Sequence, residues 1–327
     1  MGEGTVIHTD LAEITAGEYT RVSLGLKPSG LIHLGTAITF LQGVLAAQAN
    51  DSGIVDVSIM DLDFDYQRGR SFISFLQKPD SEECHELMKE HTLEESKQML
   101  GEMCAVLGFD PKKINLNYFS EVTNTDAFQE LLSSLFREDT SRRILRQHLI
   151  GNRAKSTSLL APICECGYAS TVPPVITTNE TEVNLRSTCY NELCDVNRFM
   201  VNLTDPKKVN LFYLLDPIRD LIPNGFGQVT DLHMFGGDYG NPYGESKTCK
   251  ADRVMGLMNA ISDIPPDVYV GPLLRFNGTK LGKSQGGSYE ITKMRTQFPD
   301  WVERLYDLLK KNPDRVIEMD KNEMYFK

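Results

Sequence analysis

The chain has 327 residues, of which 41% are hydrophobic and 24% charged. That composition suits a folded chain with one large or two ordinary cores and excludes a fibrous or low-complexity protein. A net charge of −11 and a pI near 5.1 argue against nucleic-acid binding over the whole surface, leaving only local patches such as Arg137, Arg142, Arg143, Arg146, Arg153 and Lys155.

No apolar run approaches the ~18–20 residues of a membrane span. The start, Met1-Gly2-Glu3-Gly4, has no basic stretch followed by an apolar one. The expectation is a cytoplasmic protein without a membrane partner. Seven cysteines without a leader do not suggest a disulfide framework. Cys84, Cys104 and Cys249 stand alone and are expected to be buried or inert.

In chain order, residues 20–27 read as a buried strand, broken by Pro28-Ser29-Gly30. Apolar residues then recur at helical spacing from Leu34 to Ala49. Ile54 to Met60 is a second strand, followed by the acidic loop Asp61-Leu62-Asp63-Phe64-Asp65. Leu87 to Leu107 is a helix ended by Gly108, and Ile114 to Phe119 a third strand. Strands alternating with helices predict a doubly wound parallel sheet. Residues 120–155 read as helical, and residues 160–200 hold paired cysteines and short β-like runs. The strand and helix pattern returns at 208–215, 232–235 and 250–261. Residues 268–276 read as a last strand pair, and 292–326 as a helical tail. The expected division is 1–119 and 205–276 as two halves of one α/β nucleotide-binding domain, 120–204 as an insertion, and 277–327 as a loop with C-terminal helices.

Two segments suit a nucleotide. Pro28-Ser29-Gly30-Leu31-Ile32-His33-Leu34-Gly35-Thr36 closes the first strand and opens a helix, where open α/β sheets place ligands. Backbone N–H groups and the helix dipole favour a phosphate there. Gly30 and Gly35 permit close approach, and His33 can donate to a phosphate oxygen. The alternative for His33 is a plain strand-to-helix turn. Gly278-Thr279-Lys280-Leu281-Gly282-Lys283-Ser284 sets two lysines three apart among glycines. Such a loop can close over a triphosphate and stabilise departing pyrophosphate, or it is a basic surface loop. It lacks the spacing of a Walker P-loop. Gly236-Gly237-Asp238 follows another predicted strand; Asp238 is a ribose ligand or a turn aspartate. Cys164-x-Cys166 and Cys189-x4-Cys194 can set four thiolates around one structural zinc, or be free thiols.

Together, His33-Leu34-Gly35-Thr36 and Lys280-Leu281-Gly282-Lys283-Ser284, roughly 245 residues apart, resemble the paired HIGH and KMSKS signatures of class I aminoacyl-tRNA synthetases. Thr36 replaces the last His and Gly282 the first Ser. Within the class the chain resembles lysyl-tRNA synthetase: Gly25-Leu26-Lys27-Pro28-Ser29-Gly30, the aspartate-rich loop ending in Arg68, the cysteine insertion, Pro217-Ile218-Arg219 and Phe235-Gly236-Gly237-Asp238 occur in that order. It departs from the family at Phe212, Tyr213 and Asp216, where tryptophans stand, and at Tyr239 in place of His. About forty residues follow Ser284, fewer than the family's anticodon-binding region needs.

The resemblance implies a class I Rossmann-type fold, split by the cysteine-containing insertion, that uses ATP and Mg²⁺. It implies activation of an amino acid to an aminoacyl adenylate. His33 and Thr36 would act at the phosphates, and Lys280 and Lys283 on the pyrophosphate. Pro28, Ser29, Gly30, Gly35, Gly236, Gly237, Asp238 and Ser284 would hold the nucleotide. Gly25, Lys27, Asp61, Asp63 and Tyr239 would line the amino-acid pocket. The acceptor is then a tRNA end, a modified nucleoside or a small-molecule amine; the competing reading is a non-catalytic paralogue.

Overall fold

The computed structural model describes residues 7–28, 32–62, 82–137, 160–170, 172, 174–179, 182–211, 214–223, 229–237, 250–276, 279–280, 291–312 and 316–319. In chain order, β1 (Ile7–His8) and α1 (Leu11–Ala16) lead to β2 (Arg21–Leu26), α2 (Leu34–Gln48) and β3 (Ile54–Ile59). Next come α3 (Glu82–Leu107), β4 (Ile114–Tyr118), α4 (Phe119–Thr123) and α5 (Asp126–Arg137). Five short strands follow: β5 (Ala161–Pro162), β6 (Val175–Thr178), β7 (Val183–Thr188), β8 (Arg198–Asn202) and β9 (Val209–Asn210). Then come α6 (Leu215–Leu221), β10 (Leu232–Phe235), α7 (Lys250–Ile261), β11 (Asp267–Val270), β12 (Leu273–Phe276) and β13 (Thr279–Lys280). The last elements are α8 (Ile291–Gln297), α9 (Trp301–Lys311) and β14 (Val316–Met319).

Six strands form one sheet in the order β1-β11-β10-β2-β3-β4, every pair parallel. The expected doubly wound α/β architecture is therefore present. Along β2 the side chains alternate in role, as a strand requires. Val22, Leu24 and Leu26 belong to the core that α2 shares. On the alternate positions, Arg21 reaches the carbonyl of Ile222, Ser23 bonds Asp220, and the space beside Gly25 holds Arg219. Helices thus cover both faces: α2 on one, α6 on the other.

Helix α2 is buried at Leu34 and from Ala37 through Ala47. A helix apolar on all sides belongs inside a protein, and α2 lies between the sheet and α3. Helix α3 in turn holds the C-terminal helices through a carboxylate. Glu102 accepts both Nε and Nη2 of Arg295, at 2.9 and 3.0 Å, and the indole N–H of Trp301 at 2.6 Å. Burial alone would raise the Glu102 carboxyl, but these donors hold it below its usual value.

Three expectations need correction. The tail is not wholly helical: β14 pairs in parallel with β12, so the chain ends its described part in a strand. Strands β11 and β12 are not a pair; β11 lies in the large sheet, while β12 pairs with β13 and β14 in a separate one. In 208–215 the described residues hold a two-residue strand, β9, paired with β5 outside the large sheet, and the first residue of α6. In each case a short apolar run fits strand or helix equally well until its partner is known. The helical reading of 120–155 is met through Arg137; residues 138–155 lie outside the described residues. Cys104 is buried as expected, whereas the Cys84 side chain and Cys249 lie outside them. No described helix is long and apolar enough to cross a membrane.

Candidate active site

From β2 the chain moves outward through β3 and β4, then returns at β10 on the other flank of β2. The strand order reverses between β2 and β10. Ligands bind open α/β sheets at the carboxyl ends of strands flanking such a reversal. Two of the segments singled out in the sequence arrive there. Lys27 and Pro28 follow β2 and lead to His33 at the head of α2; Gly236 and Gly237 follow β10.

His33 is the N-cap of α2, with φ −109° and ψ 164°, and its carbonyl accepts the N–H of Thr36 at 2.9 Å and of Ala37 at 3.2 Å. Its Nδ1 also accepts the Thr36 N–H, at a long 3.4 Å. A nitrogen that accepts is unprotonated, so in the neutral ring the proton sits on Nε2. The imidazole is thereby set as a donor through Nε2, the role a phosphate oxygen needs. Gly35 leaves it room: a β-carbon there would lie 3.1 Å from the ring. His33, Gly35 and Thr36 are all partly exposed at the start of a 15-residue helix, whose dipole favours an anion.

Beneath this corner lies a buried polar network that the sequence did not reveal. Arg219, Asp220 and His233 are each 1% exposed or less. Asp220 accepts Arg219 Nε at 3.1 Å, Ser23 Oγ at 2.7 Å and Thr230 Oγ1 at 3.3 Å, and binds His233 Nδ1 closely. Since Nδ1 donates to Asp220, its 3.1 Å approach to Arg219 Nη2 is a contact rather than a second bond. Burial pushes the Asp220 carboxyl up, but the Arg219 and His233 charges and their hydrogen bonds outweigh it and hold the group well below the usual carboxylate range. Burial likewise works against the Arg219 charge, and Asp220 and Asp216 more than restore it. One strand over, Arg21 pairs with Asp56 at 2.6 Å, both buried.

Gly25 sits over this network. A β-carbon there would stand 2.7 Å from Arg219 Nη1 and 3.4 Å from Asp216 Oδ1. Asp216 is the most exposed member, at 19%, and pairs with Arg219 at 3.3 Å. In the sequence Asp216 stands out only as a departure from the resembled family, and Asp220 and His233 carry no signal at all.

The remaining sequence candidates fall in different places. Asp61 is buried and both its oxygens are engaged, by the Ser120 N–H at 2.9 Å, the Ser120 hydroxyl at 2.6 Å and Lys89 at 3.5 Å. That arrangement ties β3 to α4 and α3. Gly237 is pressed against backbone of this chain, since a β-carbon would fall 2.2 Å from the Pro272 carbonyl oxygen. Lys280 is placed in β13 by its backbone, outside the large sheet. Ser29, Gly30, Asp63, Asp238, Tyr239, Lys283, Ser284 and the Lys280 side chain lie outside the described residues.

The four paired cysteines do converge. The ligand atoms of Cys164, Cys166, Cys189 and Cys194 all lie within 4.8 Å of one another. Cys164 and Cys194 sulfurs are 3.9 Å apart, and those of Cys166 and Cys189 3.6 Å. Tetrahedral thiolates at ~2.3 Å from a metal stand about 3.8 Å from each other, so the set fits. Two turns present it. In the first, Gly167 adopts φ +80°, which favours glycine, and its N–H returns to the Cys164 carbonyl at 2.8 Å. In the second, Cys194 N–H bonds Asn191 O at 2.9 Å, and the Asn191 amide reaches Cys166 Sγ at 3.5 Å. A backbone hydrogen bond at Tyr168 and the Asn191 amide pull the Cys166 thiol down to about 6, whereas burial pushes the Cys189 thiol up to about 12 and the Cys194 thiol is also raised, so without a metal the thiolate is favoured at Cys166 alone of these three.

No family model matches the sequence, and no curated protein does. Solved structures of similar fold include three synthetases. Tyrosyl-tRNA synthetase from Archaeoglobus fulgidus shares 15% identity over 90% of this chain and 67% of its own, at a TM-score of 0.43. Tryptophanyl-tRNA synthetase from Giardia lamblia shares 15% over 90% and 63%, at 0.40. A glutamate tRNA ligase from Elizabethkingia meningosepticum shares 15% over 81% and 52%, at 0.38. At that level of similarity the names of those proteins carry no function to this chain.

Proposed function

We propose that this chain activates an amino acid with ATP. A carboxylate oxygen of the amino acid attacks the α-phosphorus, the bond from that phosphorus to the β-phosphate oxygen breaks, and pyrophosphate leaves with the electron pair. The products are an aminoacyl adenylate and pyrophosphate. No protein nucleophile is needed; the chain contributes positioning and charge. The observation that carries this reading is His33 capping α2 at the strand-order reversal, its Nε2 a donor, with Gly236 and Gly237 closing β10 beside it.

In this reading His33, Thr36 and the α2 N-terminus meet the phosphates, Lys280 and Lys283 draw off the pyrophosphate, and Asp238 takes the ribose. Mg²⁺ bound with ATP neutralises phosphate charge. Gly25, with Arg219 and Asp216 behind it, supports an amino-acid pocket at the end of β2, which Lys27 borders. The resemblance to lysyl-tRNA synthetase makes lysine the first substrate to try, and Asp216 suits a cationic one. The four cysteines hold a structural Zn²⁺, with all four positions filled by protein and no part in the chemistry. The acceptor of the aminoacyl group is a tRNA end or a small amine, which a filter assay with total tRNA separates.

The roles are tested on pyrophosphate exchange. Lys283→Ala and His33→Ala should each lower kcat by about 10²-fold or more, as loss of a transition-state donor does. An undiminished rate in either variant would remove that residue from the mechanism.

A further inference from the structure

One buried carboxylate that the mechanism does not use joins the two signature segments. Glu95 lies on the inner face of α3, where Met88, Thr92, Ser96, Met99, Leu100 and Met103 are also buried. One of its oxygens accepts the backbone N–H of Ile32, the residue before His33, at 3.2 Å. The other accepts the hydroxyl of Thr292 at 2.5 Å. Thr292 stands in the first turn of α8, just after the lysine-bearing segment 278–284. The same two segments also meet directly, Ile291 N–H donating to Ile32 O at 3.0 Å. His91 Nε2 approaches the oxygen that accepts the Ile32 N–H, at 3.6 Å, beyond hydrogen-bond distance.

A buried carboxylate is costly unless hydrogen-bonded. Both Glu95 oxygens are hydrogen-bonded, so Glu95 holds these two partners in one geometry rather than merely filling space. Ile32 and Thr292 are 260 residues apart in sequence, and α3 belongs to neither segment.

We infer that Glu95 is a positioning residue: it fixes the His33 segment against the start of α8, and so sets the place from which the lysine-bearing segment departs. This deepens the adenylate reading and rests on it for its catalytic consequence, but the mechanical link stands apart from any activity.

The test uses the full chain with Thr292→Val, Thr292→Ser, Glu95→Gln and the double variant Glu95→Gln/Thr292→Val. Amide hydrogen exchange is followed in peptides covering residues 29–36 and 288–296. Thr292→Val should speed exchange in the distant 29–36 peptide, and Thr292→Ser should restore it. In pyrophosphate exchange, Thr292→Val and Glu95→Gln should each lower kcat about tenfold, the loss of one hydrogen bond, with the amino-acid KM changed less than threefold. The double variant should be no worse than the single ones. Unchanged amide exchange in 29–36 upon Thr292→Val overturns the link, as do additive effects in the double variant. Should the wild type show no pyrophosphate exchange, the adenylate reading fails, and amide exchange alone decides the link.

Discussion

His33 shows what a single residue gains from its place. In the sequence it was a histidine before a helix, with either a structural or a phosphate role. The structure adds that Nδ1 accepts the Thr36 N–H, which in the neutral ring puts the proton on Nε2. Asp220 shows the reverse: unremarkable in the sequence, it is the centre of the buried charge network. Its folded carboxyl is held below the unfolded value of ~4. A depressed carboxylate contributes stability that is fully present above the unfolded value and is lost as pH falls through the folded one. Denaturant titrations should therefore show the wild type losing stability from about pH 4 downward, with Asp220→Asn weaker at neutral pH and flatter below pH 4. At pH 7 the variant should be less stable by about 3–5 kcal/mol, because Arg219 keeps its charge with less to balance it. A variant as stable as the wild type would show that the pair contributes little.

At the scale of elements, β2, β3, β4, β10 and β11 could be read from short runs rich in apolar or alternating apolar residues, whereas the two-residue β1 gave no such signal. The partner across the second face of β2 could not be read either. Arg21, Ser23 and Gly25 alternate with Val22, Leu24 and Leu26, a pattern that fits a solvated face. Helix α6, nearly 200 residues later, supplies Arg219 and Asp220 to cover it. Likewise β14 finds its partner in β12 only once the chain has folded. The glycine after Gly236 was read as room for a nucleotide; its immediate need is the Pro272 carbonyl. Gly237→Ala should cost about 1–3 kcal/mol in thermal or chemical denaturation, since backbone rather than a flexible side chain must yield. No measurable cost would mean that the two strand ends slide apart freely. The cysteine turns were legible as pairs from spacing alone, though their convergence needed the fold. Purified protein should carry about one Zn²⁺ per chain, the count for one Cys₄ site. Chelation should lower its melting temperature, and Cys166→Ser should abolish the metal. Metal-free protein of unchanged stability would leave the thiols without that role.

Taken whole, the molecule is a doubly wound sheet whose strand order reverses between β2 and β10, with segments from both ends of the chain brought to one corner. Glu95 and Glu102, two turns apart on α3, receive Thr292 and Arg295, one turn apart on α8. The C-terminal helices, whose Ile291, Met294, Val302, Leu305 and Leu309 pack into the main core, are thus also tied to α3 by polar bonds that no apolar periodicity encodes. The central claim is that this corner makes an adenylate. Amino-acid-dependent exchange of labelled pyrophosphate into ATP, run with each of the twenty amino acids separately and lysine first, measures that step before any acceptor is involved. The account predicts exchange with one amino acid or a small related group, dependent on Mg²⁺ and lost in His33→Ala. No exchange with any of the twenty, from protein that is folded and metal-replete, would contradict it.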